Sequence, residues 1–269
     1  MFHRLPHALA AVAVTGLALA ACASPSAAPT ATTEPTVPVA APHWDYNEHG
    51  GAIGWGDLAG DFGTCSTGLS QSPIDLPAAL PAATDSIEIS TEVTEAEEAD
   101  SGHASQVNVD DDGSVVHYNG LDYELLQIHA HTPSEHTIGG VATDVEFHLV
   151  HSTDDGQLLV LGVLVNIGEA NAAWQGFLDT ATGEDGTTSD IEVSTLLPAS
   201  LQHWSYSGSL TTPPCTEDVQ WIVFSTPIQV STDQVAELVD VHGHNSRPVQ
   251  SLGERAIGSG DGILTAPTD

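Results

Sequence analysis

Gln127-Ile128-His129-Ala130-His131-Thr132-Pro133-Ser134-Glu135-His136 and, a little further on, Glu146-Phe147-His148-Leu149-Val150 are the stretches on which the reading of this chain turns. Both have strand-type composition, and on a strand residues i and i+2 face the same way. His129 and His131 therefore project from one face together with Gln127. On the second strand Glu146, His148 and Val150 share a face. If the two strands are neighbours, three imidazoles converge at one point. Three neutral nitrogen donors with no thiolate leave one zinc position open, the donor set of catalytic rather than structural zinc. Gln127 and Glu146 each stand two residues before a histidine, where they can accept the remaining ring N–H and fix the tautomer. An H-x-H pair alone is a weak signal in a chain with 14 histidines. Cupin metal sites also open on H-x-H with a nearby glutamate, a place Glu135 would suit, but no P-x-G-x-x-H element follows downstream.

Around this centre, short strand-like runs recur at Ser86–Thr91, Gln106–Val109, Ser114–Tyr118, Tyr123–His131, Asp144–His151, Gln157–Ile167 and Val219–Phe224. Asp111-Asp112-Gly113 is a hairpin signal between two of them. Helical patterns are fewer: Asn171–Thr180, and Ser231–Val241, which opens with Ser231 and Gln234 at capping-box spacing. Glu92, Glu95, Glu97, Glu98 and Asp100 form an acidic cluster read as a solvated loop. The balance is a β-rich single domain with a few helices packed on a sheet.

The 269 residues include 37 acids against 3 bases, a net charge of −34 with histidine neutral. Arg4, Arg247 and Arg255 are the only cationic residues, and there is no lysine. That balance excludes the basic footprint of nucleic-acid binding and argues against electrostatic docking on anionic lipid. With 41% apolar residues and five tryptophans the chain can still build a core.

At the N-terminus, Arg4 precedes the apolar run Ala8–Ala21, which is shorter than the about 20 residues needed to span a bilayer. Residues 1–21 read as a signal peptide. The run ends Leu19-Ala20-Ala21-Cys22, which resembles the lipobox of bacterial lipoproteins and implies cleavage before Cys22 and lipidation of its thiol. Residues 22–42, rich in Ala, Pro, Thr and Ser, read as a tether, and the domain spans 43–269. Cys65 and Cys215 are then left as a pair that an exported chain can oxidise, or as free thiols.

The sequence resembles the α-class carbonic anhydrases. The resemblance runs through His43-Trp44-x-Tyr46, Gln71-Ser72-Pro73-Ile74-Asp75, the two histidine strands and Leu158-Leu159-Val160-Leu161-Gly162. It continues through Tyr206-Ser207-Gly208-Ser209-Leu210-Thr211-Thr212-Pro213-Pro214-Cys215, Trp221-Ile222-Val223 and Asn245-x-Arg247-Pro248. It implies an α+β, mainly β fold, with a large, mostly antiparallel twisted sheet flanked by short helices. It implies a carbonate dehydratase that interconverts carbon dioxide and bicarbonate through a zinc-bound hydroxide. On this resemblance His129, His131 and His148 match the ligands of the Zn2+ cofactor, and Gln127 and Glu146 match their hydrogen-bond acceptors. Thr211 matches the hydroxyl that orients the nucleophile, Glu135 the carboxylate that holds Thr211, and His103 the proton-shuttling histidine. Thr212 matches a bicarbonate contact. Val150, Val160, Leu210, Val219 and Trp221 match the hydrophobic wall that receives carbon dioxide. Cys65 and Cys215 match the disulfide of bacterial and extracellular members.

The remaining histidines, His136 and His151 among them, are expected to be structural or exposed. Family members often carry aromatic residues where Ile128 and Ala130 stand, and alternation turns both away from the zinc, so a repacked core is expected. Partners are therefore the small substrate, no nucleic acid, and the membrane only through Cys22, on the cell surface or in the periplasm; no oligomeric state is read from the sequence. A zinc esterase and a catalytically silent binding module of the same fold are the competing functions. Retention of all three histidines, Thr211 and Glu135 speaks against the silent module.

Overall fold

The computed structural model describes residues 43–46, 51–58, 60–99, 101–109 and 113–265. The expected signal peptide, Cys22 and the tether lie outside the described residues, as do Asp100, Asp111 and Asp112.

Twelve strands form one large sheet: β1 Asp85–Ser90, β2 Val93–Glu98, β3 Gln106–Val109, β4 Val115–Tyr118, β5 Leu121–His131, β6 Val145–Ser152, β7 Leu158–Ile167, β8 Thr188–Glu192, β9 His203–Ser209, β10 Glu217–Phe224, β11 Ile228–Val230 and β12 Gly258–Thr265. The hydrogen-bonded order is β8-β2-β3-β5-β4-β1-β12-β9-β10-β7-β11, with β6 bound to both β5 and β7. Pairing is mostly antiparallel. The parallel pairs are β7 with β10 and β11, and β12 with β1. A small sheet joins Asp75–Leu76, Thr137–Ile138 and Val141–Ala142.

Two helices follow the sequence signals. Helix α1, Ala172–Ala181, is capped by Asn171, whose side chain accepts the Ala173 and Trp174 N–H groups. Helix α2, Thr232–His242, carries the capping box of Ser231 and Gln234. Gln234 also donates to the Asn171 carbonyl at 2.8 Å, so the two helix starts are tied together.

Two expectations are corrected. The acidic cluster is not a solvated loop, because Val93–Glu98 is a strand with Thr94, Ala96 and Glu98 turned inward and Glu95 and Glu97 exposed. Alternation lets one face of a strand be buried while the other carries charge to solvent. Nor do the strands on either side of Asp111-Asp112-Gly113 form a hairpin. β5 is 11 residues long and presents one edge first to β3, at Gln127–His129, and then to β4, at Leu121–Glu124. Both strands run antiparallel to β5, so the chain continues along its edge without reversing. The tight hairpin is instead β4–β5, through Asn119 and Gly120 at φ 51° and 78°, the left-handed pair that a two-residue turn requires.

Ile128 and Ala130 face the core away from the histidines, as alternation demands. Ala130 lies directly opposite Phe147, which stacks on Trp174 of α1 with ring centroids 3.5 Å apart. A small residue beneath a large one fills the volume, and both belong to the core packed against α1.

Cys65, in the short helix Thr64–Thr67, forms a disulfide with Cys215 across a sequence separation of 150. The bond joins that helix to the loop that carries Thr211 and Thr212. Closing so long a span is worth at most roughly 5 kcal/mol in the chain-entropy picture. A reducing agent should therefore lower the melting temperature followed by circular dichroism. An unchanged melt would show that the bond adds nothing to stability.

Candidate metal centre

The register of β5 against β6 sets His129 opposite His148 and His131 opposite Glu146. Opposed residues on paired strands share a face, so the three imidazoles gather with ring centroids 4.7–5.0 Å apart. Their ligand atoms all lie within 4.8 Å of one another.

Each ring is held by its other nitrogen. His129 Nδ1 donates to Gln127 Oε1 at 2.7 Å. His131 Nδ1 donates to the Asn245 carbonyl at 2.8 Å. His148 Nε2 lies 3.1 Å from Glu146 Oε1, close but bent from ideal alignment. These acceptors leave His129 Nε2, His131 Nε2 and His148 Nδ1 as bare lone pairs. His131 Nε2 is buried with no hydrogen-bond partner among the described residues. His148 Nδ1 and His129 Nε2 face each other at 3.2 Å, a contact of two acceptors that a cation would relieve. The donor set and the orphaned nitrogen therefore fit a divalent metal.

Burial, helped by the mutual repulsion of neighbouring rings, holds His129 well below the usual histidine range, and burial holds His131 down at about 4. Burial also lowers His148, against the opposing pull of Glu146. All three are neutral at pH 7, the protonation state that metal ligation requires.

Glu146 is fully buried. Burial alone would raise its pKa, but His136, His148 and their hydrogen bonds outweigh it and hold the carboxyl well below the usual range. Oε1 meets His148 and accepts His136 Nδ1 at 2.7 Å, while Oε2 accepts the backbone N–H groups of Glu135 and His136 at 3.0 and 2.8 Å. Beyond it, Tyr206 donates to His136 Nε2 at 2.7 Å, and the Ser72 and Tyr206 hydroxyls lie 2.8 Å apart. His136, Glu146 and His148 also make a grouping of ligand type, but here Glu146 Oε1 is engaged with both rings, at 2.7 Å to His136 Nδ1 and 3.1 Å to His148 Nε2. Opposite His148 on β7 stands Gly162, where a Cβ would come within 2.9 Å of Glu146 Oε1, so only glycine leaves the carboxylate its place.

Glu135 Oε1 accepts the Arg247 backbone N–H at 2.8 Å, and Oε2 lies 3.6 Å from His131 Nε2. Burial pushes this carboxyl up to about 7, against the pull of His148, the Arg247 N–H and the Thr211 hydroxyl. Thr211 is buried and Thr212 half-buried in the loop after β9. Val150, Val160, Val219 and Trp221 belong to one apolar cluster, with Leu210 packed against it. Trp221 sets its ring edge-on to His148, centroids 4.9 Å apart, which brings this cluster against the metal centre. His103, half-buried in the turn Ser101–Ala104, stacks on Trp44 with centroids 3.6 Å apart.

Asn245 and Tyr206 were quoted in the sequence motifs without a role. A backbone acceptor from a distant segment, such as the Asn245 carbonyl, leaves no pattern of residue type or spacing. Truncating Glu146 to alanine should weaken zinc affinity by about 10- to 100-fold while the far-ultraviolet spectrum stays native. Competition with a chromophoric chelator measures this, and unchanged affinity would mean that Glu146 does not support His148.

Residues 51–260 match the family model described as eukaryotic-type carbonic anhydrase. A carbonic anhydrase of Pectobacterium carotovorum is 36% identical over 220 residues, covering 80% of this chain and 90% of that protein. The α-carbonic anhydrase of Thermovibrio ammonificans, solved with the inhibitor sulfanilamide, superposes with a TM-score of 0.72 at 34% identity, covering 81% of this chain and 99% of that one. Dioscorin, solved with ascorbate, is also similar, with a TM-score of 0.73 at 25% identity over 82% of this chain and 99% of that one. The chain belongs to the eukaryotic-type, or α-class, carbonic anhydrase family.

Proposed function

We propose that this chain catalyses the reversible hydration of carbon dioxide to bicarbonate and a proton, with zinc held by His129, His131 and His148. One observation carries the reading: three neutral imidazoles, His131 and His148 buried and His129 half-buried, turn bare nitrogens toward one point while each opposite ring nitrogen faces an acceptor. When bound, zinc supplies the Lewis acidity that brings the pKa of water to about 7, a value for which carbonic anhydrase is itself the standard case.

The chain's own groups do the rest. An ionised Glu135 can only accept, so a Thr211 hydroxyl hydrogen-bonded to it donates there and keeps its lone pairs for the nucleophilic oxygen. That orients the oxygen toward substrate. Positive charge held by the imidazoles acts on Glu135 in the same sense as His148 and Arg247, favouring its ionised form. Carbon dioxide has no net charge, and Val150, Val160, Leu210, Val219 and Trp221 offer it a surface without competing polar groups. Thr212, beside Thr211, is placed to contact bicarbonate. His103 carries the released proton to solvent, a task for which an imidazole, able to take up and release a proton, is chemically suited.

In the purified protein, His131→Ala should remove both the metal, close to one zinc per chain in the parent, and carbon dioxide hydration measured by stopped flow. A chelator should do the same to the parent. Full activity without zinc would sink the mechanism, and a zinc-loaded but inactive parent would favour a binding module.

We also propose that the protein is exported and anchored by lipid at Cys22. The apolar run before Leu19-Ala20-Ala21-Cys22 supports this, as does the Cys65–Cys215 bond, since disulfides persist in oxidising compartments. Among the described residues no helix is long and apolar enough to cross a membrane. Cys22→Ser should move the protein from the membrane to the soluble fraction at unchanged specific activity. Retention in the membrane would refute the anchor.

A further inference from the structure

We propose that Asn245 is a positioning residue for proton release, its side-chain amide fixing the backbone that carries His103 to the strand that carries His131. The inference rests on reading His103 as the proton carrier and His131 as a metal ligand.

Asn245 is buried at 3% exposure, and each of its polar groups is engaged. Its amide nitrogen donates to the His103 carbonyl at 3.1 Å and to the Ala130 carbonyl at 3.0 Å. Its amide oxygen accepts the Thr132 N–H at 2.7 Å. The backbone N–H donates to the Thr132 carbonyl at 3.0 Å, and the backbone carbonyl takes the His131 ring proton at 2.8 Å. Two carbonyls and one N–H around the amide decide which end is nitrogen, because the flipped orientation would set acceptor against acceptor. One residue thus grips 130, 131 and 132 and, with the same nitrogen, reaches the turn of His103.

The shape of that turn is set locally. Ser101 Oγ accepts the N–H groups of His103 and Ala104 at 3.3 and 2.9 Å, and Gly102 takes a left-handed φ of 70°. These bonds shape the turn without attaching it to the ligand strand. Two attachments to that strand are the Asn245 amide and, further along, the Ala130 N–H to the Ser105 carbonyl at 3.2 Å. Losing the amide removes the bond at the His103 carbonyl, which lets this backbone shift against β5 and alters the stack of its ring on Trp44. A proton relay depends on the separation of its stations, so such a shift acts on proton release and leaves the carbon dioxide step alone.

Asn245→Asp tests this in the zinc-loaded enzyme. It keeps the size and the acceptor for Thr132 but replaces both amide hydrogens with an oxygen facing two carbonyls. The backbone acceptor of His131 is untouched, so zinc should stay near one per chain. In dilute buffer kcat should fall by about 10- to 100-fold, the cost of a displacement of about 1 Å. kcat/KM should stay within about twofold, as general acid–base transfer to buffer lies outside that parameter. Added imidazole should restore kcat, and the double variant His103→Ala/Asn245→Asp should be no slower than His103→Ala. Independently of turnover, the Trp44 indole N–H resonance should shift in Asn245→Asp, as it does in His103→Ala.

Equal loss of kcat and kcat/KM, or loss of zinc, would overturn the proposal and make Asn245 a support for His131 alone. An unmoved Trp44 resonance or a parental kcat in dilute buffer would overturn it too. If His103→Ala itself is fully active in dilute buffer, the shuttle reading fails first, and the Trp44 resonance still decides whether the amide holds the turn. Should Asn245→Asp fold poorly, Asn245→Ser, which retains a smaller donor, should give an intermediate kcat with the same rescue, and a kcat as low as that of His103→Ala without rescue would count against the proposal.

Discussion

A fully buried carboxylate, Glu146, is the constraint around which this domain is arranged. Moving a carboxylate out of water costs several kcal/mol even after relaxation, so it persists only where donors surround it. Here four do: two rings on one oxygen and two backbone N–H groups on the other. Meeting that demand fixes the turn after β5, orients His148 through its ring proton, and requires glycine at 162 on the next strand. It also sets the donor chain in order. Ser72 and Tyr206 stand behind His136, so the imidazole presents its proton to Glu146 and its lone pair to the phenol. The bare Nδ1 of His148 is the last consequence of this chain.

The unusual charge is managed by the same economy. Arg247 and Arg255, the two cationic residues within the described part, are spent on backbone carbonyls. Arg247 donates to Ser72 and Cys65, and Arg255 to Gln71, Ser207, Ser251 and Leu252. They grip the Gln71-Ser72 segment from both sides, beside the donor chain that ends on the metal centre. The Arg247 backbone N–H also holds Glu135. Histidine rings lie against carboxylates at His117–Asp122, His136–Glu146 and His203–Asp85, and salt screens the repulsion among the exposed acids.

The fold alone does not choose a function, since a protein solved with ascorbate and one solved with a sulfonamide inhibitor share it. What distinguishes a metal centre is the state of particular nitrogens. In this chain desolvation and the neighbouring rings hold the three imidazoles neutral, and each faces an acceptor of a different kind: an amide, a backbone carbonyl and a carboxylate. The apolar cluster reaching Trp221 meets the ring of His148, so the three imidazoles and this cluster are built on adjoining strands.

Much of this was legible in the residues themselves. Period-two alternation put His129, His131 and Gln127 on one face and Glu146, His148 and Val150 on another, and Ser231 with Gln234 announced a helix start. These are local consequences of backbone geometry, which spacing alone expresses. Ile128 and Ala130 likewise faced the core wherever their strand lay. The acidic run Glu92–Glu98 was misread because its charges dominate its composition, while its burial depends on which neighbours cover Thr94, Ala96 and Glu98. Asn119-Gly120 was a readable hairpin signal, yet Asp111-Asp112-Gly113 drew the turn instead, because a turn motif does not say which strand the chain will pair with next. The convergence of the rings needed the β5–β6 register, and the Asn245 carbonyl under His131, the four donors on Glu146 and the Thr211–Glu135 approach needed segments far apart in the chain. Sequence by itself determined which side chains share a face, since that follows from the pleat; only the tertiary structure decided which faces and backbone groups meet, since pairing across long loops is settled by burial and by the need to satisfy every buried polar group.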